Sequence, residues 1–270
     1  MVSPVRFDHL VVAVHDLEAA ANDYAQLGFN VTEGGRHTHA PTRNALIYFE
    51  DGAYLELIEW LRPANGEKWY ECLRGAGEGI VDFALCPQDI RSVISRTGGE
   101  GAAYHPAVPG SRVQPNGDEI RWQLGWATNN ELPFLCADIT PRVLRVREGA
   151  CRNHPNGVKG IRRVIVGVLS LDKAVPMFER LLQMQALPPR YIDASQEYTG
   201  LRIAAFRLGN TDLLLAEPEP TETPAAAALR GQLSLRGPGA YWISLKAAEG
   251  EHSRLDCALT HGAAVSIGTS

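Results

Sequence analysis

Short β-branched runs alternate with stretches of helical spacing along most of this chain. Residues 7–14 read FDHLVVAV and predict a strand. Asp16 follows as an N-cap, and Leu17, Ala20, Ala21, Tyr24 and Leu27 recur at helical spacing until Gly28 closes the helix. A second strand is expected over 29–33, ended by Gly34-Gly35. Two more, over 45–49 and 53–60, are joined by the turn Glu50-Asp51-Gly52. The unit is βαβββ. It recurs from residue 161, where IRRVIVGV aligns without a gap on FDHLVVAV and Asp172 falls at the position of Glu18. Helical spacing runs through Val175, Phe178, Leu181 and Leu182, and strands are expected over 201–208 and 212–216 about a Gly209-Asn210 turn. A diverged copy starts at GIVDFALC, residues 79–86. Its helix lies over 89–97, and its later strands near 120–126 and 133–138. A fourth start at 241–246, with a helix over 251–260, is cut short. A βαβββ unit repeating at roughly 75 residues predicts an internal duplication.

The fold class expected is α+β: tandem βαβββ modules forming cup-shaped mixed sheets. Residues 1–140 would hold two modules, 141–160 a polar connector, and 161–270 the second pair. Residues 217–224 (EPEPTETP) read as a stiff acidic linker. Net charge is −5, which argues against a nucleic-acid partner, and no apolar stretch is long enough to span a bilayer. Five cysteines without metal or redox spacing, and no signal-like start, point to reduced thiols in a cytoplasmic protein. Each is expected to be a small buried hydrophobe. The run Arg142, Arg145, Arg147 reads as a solvated face, and His15, His105, His154, His252 and His261 as surface residues.

Alternation places Phe7, His9, Val11 and Ala13 on one face of the first strand, and Leu10, Val12 and Val14 on the face under the helix, with Asp8 at its edge. In the fourth strand Tyr54, Glu56, Ile58 and Trp60 share a face opposite Leu55 and Leu57. Glu56 is a carboxylate inside an apolar strand and needs a cation or donors. His9 is its natural partner. Imidazole and carboxylate suit a divalent metal (zinc, manganese, iron or nickel), and the alternative is a metal-free pocket. The gapless alignment puts Phe83 and Arg163 at the His9 position, and Leu135, Cys136 or Leu214 at that of Glu56. Two ligands make half a catalytic metal site, so His37, His39, Cys136 or Glu119 would have to complete it.

FDHLVVAV, the following DLEAAANDYAQLGFNVTEGGRH, NALIYFEDGAYLELIEW, and the HPNG turn before GIRRVIV resemble the glyoxalase-like branch of the vicinal oxygen chelate superfamily. The resemblance spans about residues 5–215. It implies paired modules around a cup, His9 and Glu56 at metal-ligand positions, and GGRH and NALI at the rim. Arg36, His37 and Asn44, with Tyr54 and Trp122 in the wall, are then the substrate contacts. The function it implies is a small-molecule lyase or isomerase acting on a carbonyl or enolisable compound, with Glu56 and His37 as catalytic groups. The alternatives are a metal-free protein sequestering an aromatic natural product or drug, and an iron-dependent dioxygenase. The cup would close within one chain or across a homodimer.

Overall fold

The computed structural model describes residues 5–98, 103–188, 198–248 and 252–269. The first unit is β1 (Val5–Ala13), α1 (Leu17–Gln26), β2 (Thr32–His37), β3 (Thr42–Tyr48) and β4 (Tyr54–Trp60). Asp16 caps α1 by accepting from the amides of Glu18 and Ala19. A helix that the sequence pattern did not predict, α2 (Lys68–Ala76), ends at Gly77 and leads into the second unit. That unit is β5 (Gly79–Pro87), α3 (Ile90–Thr97), β6 (Val108–Val113), β7 (Glu119–Gly125) and β8 (Phe134–Asp138). Its strand β6 also escaped the sequence pattern, since Pro109 and Gly110 disfavour a strand interior.

The eight strands close a barrel in the order β1-β4-β3-β2-β6-β7-β8-β5, so the first cup closes within one chain. The two units meet at β1 against β5 and again at β2 against β6. Strand β2 runs to His37 instead of stopping at the glycines. Gly34 lets the Asn44 side chain lie across it, and Gly35, at φ 133°, lets the Val113 carbonyl of β6 approach. The polar stretch 34–44 is therefore mostly strand, with only 38–41 as the loop.

The second half holds α4 (Arg142–Arg145), a 3₁₀ turn (Ala150–Arg152), β9 (Val158–Gly167), α5 (Leu171–Leu182), β10 (Leu201–Leu208), β11 (Thr211–Pro218), α6 (Pro224–Arg236), β12 (Gly239–Ala247), β13 (Ser253–Arg254) and β14 (Ala264–Gly268). Its sheet is six-stranded, in the order β10-β11-β9-β12-β14-β13. The repeat of βα followed by paired strands is present. The strand matching β2 would fall around 189–197, outside the described residues; a bridge joins Leu187 to Ala205 beside it. The helix expected over 251–260 is not formed over 252–260. Ser253–Arg254 pairs with β14, and Asp256 and Thr260 hold turns instead. The acidic stretch 217–224 is likewise not a free linker: Glu217 accepts from the Leu171 amide and from Arg202, and Pro224 opens α6.

The main core lies between the helices and the outer faces of both sheets, with Leu10, Val12, Leu55, Leu57, Phe83, Val164, Phe178 and Phe206 among its members. A bulge in β1 alters the expected facing. Phe7 pairs with Leu85 and His9 with Ala84, so Asp8 is the extra residue. Phe7 consequently joins the core under the helices, stacked on Phe83, while His9 turns into the barrel.

Candidate functional site

A cavity of about 520 Å³ fills the barrel interior. Trp60, Trp69, Trp122, Trp126, Phe134 and Ile58 give it an aromatic wall, and His9, His37, Asn44, Tyr54, Glu56, Arg112 and Arg145 a polar one. Alternation on β4 presents Tyr54, Glu56, Ile58 and Trp60 to this space and keeps Leu55 and Leu57 in the core.

The polar wall is one connected chain of charge. Arg145, fully buried on the short helix α4, donates to Asp8 Oδ2 at 2.7 Å, to Asp138 Oδ1 at 2.5 Å and to Tyr54 Oη at 2.7 Å. Arg142 donates to the other Asp8 oxygen at 2.6 Å. Asp8 in turn accepts from His9 Nδ1 at 2.8 Å, and His9 Nε2 lies 3.3 Å from Glu56 Oε2. The opposite carboxylate oxygen accepts from Asn44 Nδ2 at 2.7 Å and stands 3.7 Å from His37 Nε2. His37 Nδ1 meets Thr42 Oγ1 at 2.8 Å.

These contacts set the protonation states. Burial opposes charge on Asp8, but Arg145 and Arg142 hold its carboxyl well below the usual range. Burial also opposes a cationic His9, and the hydrogen bonds to Asp8 and Glu56 outweigh it, raising the imidazole pKa. For Glu56 burial again works against the charge, yet His9, His37 and Asn44 draw the carboxyl down to about 2. His37 moves the other way. Burial, helped by the nearby charges of Arg112 and His9, outweighs Glu56 and lowers its pKa. The two imidazoles are therefore shifted in opposite directions, His9 towards the protonated form and its neighbour towards the neutral one.

His9, Glu56, His37, Asn44, Tyr54 and Trp122 all line this cavity. Arg36 does not: it is exposed on β2, because alternation that turns His37 inward turns its neighbour outward. His39 and His105 sit at the mouth. Glu119 is exposed, and Cys136 is buried in the cavity wall. Cys86 is buried as well, whereas Cys72 and Cys151 are half-buried and Cys257 is exposed, so the expectation of uniformly buried thiols fails for three of the five. His154 is buried and structural, with Nε2 against the Tyr48 carbonyl and Nδ1 accepting from the Asn30 amide. His261 is bracketed by Glu78 and Asp23 rather than free at the surface. The arginine run holds the largest misreading. Arg145 looked solvated because its acidic partners Asp8 and Asp138 reach it only through the fold.

Strand register shows which residues stand where His9 and Glu56 stand in the other unit. The β1–β5 ladder has one bulge in each strand, at Asp8 and at Val81, and pairs Leu10 with Phe83 about its centre. The two-fold relation that exchanges these strands carries His9 to Asp82 and, through the β1–β4 and β5–β8 pairings, Glu56 to Phe134. The gapless alignment missed this by one residue at Phe83. In the second half the same reasoning keeps Arg163 at the His9 position and Leu214 at that of Glu56.

This donor set does not suit a metal ion. Asp82 accepts from Lys68 Nζ at 3.0 Å and Trp69 Nε1 at 3.1 Å, and Phe134 packs edge-on against His9 with ring centroids 5.3 Å apart. Among the described residues no group of three His, Cys, Asp or Glu side chains is arranged to hold an ion: His9 and His37 lie against different oxygens of Glu56, where a catalytic site normally needs about three ligands converging on one point.

No curated protein matches the chain. Among solved structures, a hypothetical protein from Staphylococcus aureus is similar over 98% of this chain and 100% of its own, at TM-score 0.69 and 16% identity. A mutant of 4-hydroxymandelate synthase from Streptomyces coelicolor matches over 95% of this chain and 78% of its own, at TM-score 0.64 and 17% identity. A xylose isomerase-like TIM barrel/4-hydroxyphenylpyruvate dioxygenase fusion protein covers 90% of this chain with 36% of its own, at TM-score 0.52 and 18% identity. At these identities the likeness is one of fold. The model of the glyoxalase-like domain family matches residues 7–182, most of the chain, and the chain belongs to that family, within the vicinal oxygen chelate superfamily.

Proposed function

We propose that the barrel cavity is the active site of a small-molecule enzyme that moves a proton beside a carbonyl group, as an isomerase or lyase. One observation carries this reading: two imidazoles flank the Glu56 carboxylate on one wall of the cavity, and their surroundings push their pKa values in opposite directions. Titratable neighbours driven apart in this way divide into acid and base. In the tautomer whose Nδ1 donates to Thr42, His37 presents the lone pair of Nε2, and we assign it as the base. His9, fixed by Asp8, donates from Nε2 and is the acid that would meet a carbonyl oxygen as it gains charge. A carboxylate with a pKa of about 2 is a poor base, so Glu56 serves to orient both rings and keep His9 charged. Proton removal beside the carbonyl would give an enol. Return of the proton to an adjacent carbon isomerises the compound, and loss of a neighbouring leaving group makes the reaction a lyase.

The test is solvent deuterium exchange into a panel of small carbonyl compounds, read by proton NMR. Exchange at the carbon beside the carbonyl is expected with the wild-type protein. In His37→Gln it should fall by roughly 10²–10⁴-fold, the usual worth of a general base. A second reading rests on the aromatic wall of Trp60, Trp69, Trp122, Trp126 and Phe134, which fits a protein that only binds an aromatic compound. Saturable binding with no exchange in any bound compound would decide for that reading.

A further inference from the structure

One buried cation in the cavity wall has no carboxylate against it. Arg112 on β6 stands directly opposite His37 of β2 in the ladder that closes the barrel, and both side chains line the cavity. It is 2% exposed and forms no ion pair among the described residues. Its Nη2 donates to the Arg145 carbonyl at 3.3 Å, and its Nε is buried with no hydrogen-bond partner. A buried guanidinium without a carboxylate is costly, and a native fold keeps one where something else supplies the negative charge.

Among the described residues the nearby carboxylates are engaged elsewhere, including Glu67, which lines the cavity and caps α2 by accepting from the amides of Trp69 and Tyr70. Asp8 and Asp138 are taken up by Arg142 and Arg145, and Glu56 by His9 and Asn44. Lys68 has its own partner in Asp82. Burial keeps the Cys136 thiol and the Tyr48 and Tyr54 hydroxyls neutral. Arg6 and Arg147, which reach solvent, only add positive charge. Arg112 is thus left without a counter-charge among the described residues, and it lines the cavity beside His37.

We infer that the cup takes an organic monoanion, a carboxylate on an aromatic or similarly apolar body, and that Arg112 receives the carboxylate while the body lies against the tryptophan wall. This deepens the proton-transfer reading and rests on the same cavity. A planar guanidinium with a free Nε edge matches a carboxylate in a two-point contact. A single guanidinium without an ion pair favours a carboxylate over a dianionic phosphate ester. The carboxylate would arrive next to His37, whose base function then acts on a carbon close to the acid group.

The probes are 3-phenylpropionate, its uncharged amide 3-phenylpropionamide, and phenyl phosphate, titrated against the full chain. Four of the five tryptophans line the cavity, so their fluorescence reports occupancy. The acid is expected to bind roughly 10- to 100-fold more tightly than the amide, the worth of a charge-assisted hydrogen-bonded pair. In Arg112→Met the preference should vanish while amide binding is kept. Removal of an uncompensated buried cation should also leave the empty variant at least as thermally stable as wild type. If Arg112→Met does not fold, the thermal upshift of wild type by acid against amide gives the same answer. Equal binding of acid and amide, failure of both to bind, or an acid preference that survives in Arg112→Met overturns the inference. Tighter binding of phenyl phosphate overturns the carboxylate assignment. His37→Gln separates this from the enzymatic reading: it should abolish deuterium exchange and keep the acid preference, so each reading fails on its own measurement.

Discussion

His9 lies between Asp8 and Glu56, and the three side chains share the energy of being charged in a dry place. The imidazole pKa is raised, so its contribution to stability is complete below the ordinary histidine range and is lost as pH climbs through the folded value. The Glu56 pKa is lowered to about 2, so its contribution is complete above the ordinary carboxylate range and is lost as pH falls towards that value. The two overlap between roughly pH 5 and pH 6.5, given unperturbed values near 4.3 and 6.5. The pair's contribution to urea stability should therefore be greatest in that window and decline on its alkaline side, while His37 and His154, whose pKa values are lowered, act in the opposite sense. His9→Gln cannot lose a proton there and should flatten the alkaline decline. Equal changes of stability in wild type and His9→Gln from pH 6 to pH 9 would refute the cationic assignment of His9. The inward aim of His9 and Glu56 was legible from strand alternation alone. The role of Asp8 was not, because a bulge adds a residue without altering the hydrophobic pattern on either side of it.

Among the elements, β2–β6 is, with β5–β8, one of the two shortest seams of the barrel. Only two paired positions are present, Arg36 with Val113 and His37 with Arg112, and the second carries both groups proposed to work on the ligand. Gly35 makes the closure possible. Its φ of 133° is one that L side chains rarely adopt, and a Cβ there would lie 2.0 Å from the Val113 carbonyl oxygen. Gly35→Ala should cost about 1–3 kcal/mol for the backbone conformation alone. It should also part the seam, so aromatic-acid affinity falls along with stability. By contrast Gly66, with nothing within 4 Å of an added Cβ, gives a control in which only backbone strain is felt. If Gly35→Ala and Gly66→Ala weaken ligand binding equally, the seam does not hold the site together. The sequence pattern read this glycine pair as a strand end because glycine is depleted in strands. The contact that requires it comes from β6, whose own Pro109 and Gly110 hid that strand as well. Two partners that each look unlike strands left no period-2 signal, whereas β1, β4, β5 and β9, with β-branched interiors, did.

Across the whole molecule the duplication keeps its frame while the chemistry stays on one side. Helices α2 and α6 end on Gly77 and Gly237 with nearly identical backbone angles, 77°/−173° and 77°/−171°, and each leads into the strand that opens a new unit. Yet in the second half Ile165, Leu214 and Trp242 of the sheet join Leu229 of α6 and Tyr198 in one apolar cluster where the first half carries the His9, Glu56 and His37 wall. The halves are not independent bodies. Residues of both build the main core, and Arg236 of α6 donates to the carbonyls of Ala76 and Gly77 at 3.1 and 3.0 Å at the end of α2. Most directly, Arg142 and Arg145 lie after the last strand of the first barrel, and they neutralise the fully buried Asp8 on its first strand. Leaving a buried carboxylate without its partner costs about 3–5 kcal/mol, a large part of a domain's total stability. A chain ending at residue 140 holds all eight strands of the barrel but not these arginines, and it should fail to give a cooperative thermal transition. A chain ending at 157 restores them, still lacks the β9 side of the core, and should fold only weakly. In the full chain Arg145→Met should lower stability by about 3–5 kcal/mol, and Asp8→Asn with Arg145→Met should recover part of the loss, because the stranded charge is gone. Circular dichroism melts of these four proteins measure each step. A cooperative, wild-type-like melt for the chain ending at 140 would show that the first barrel needs neither the arginines nor the second half.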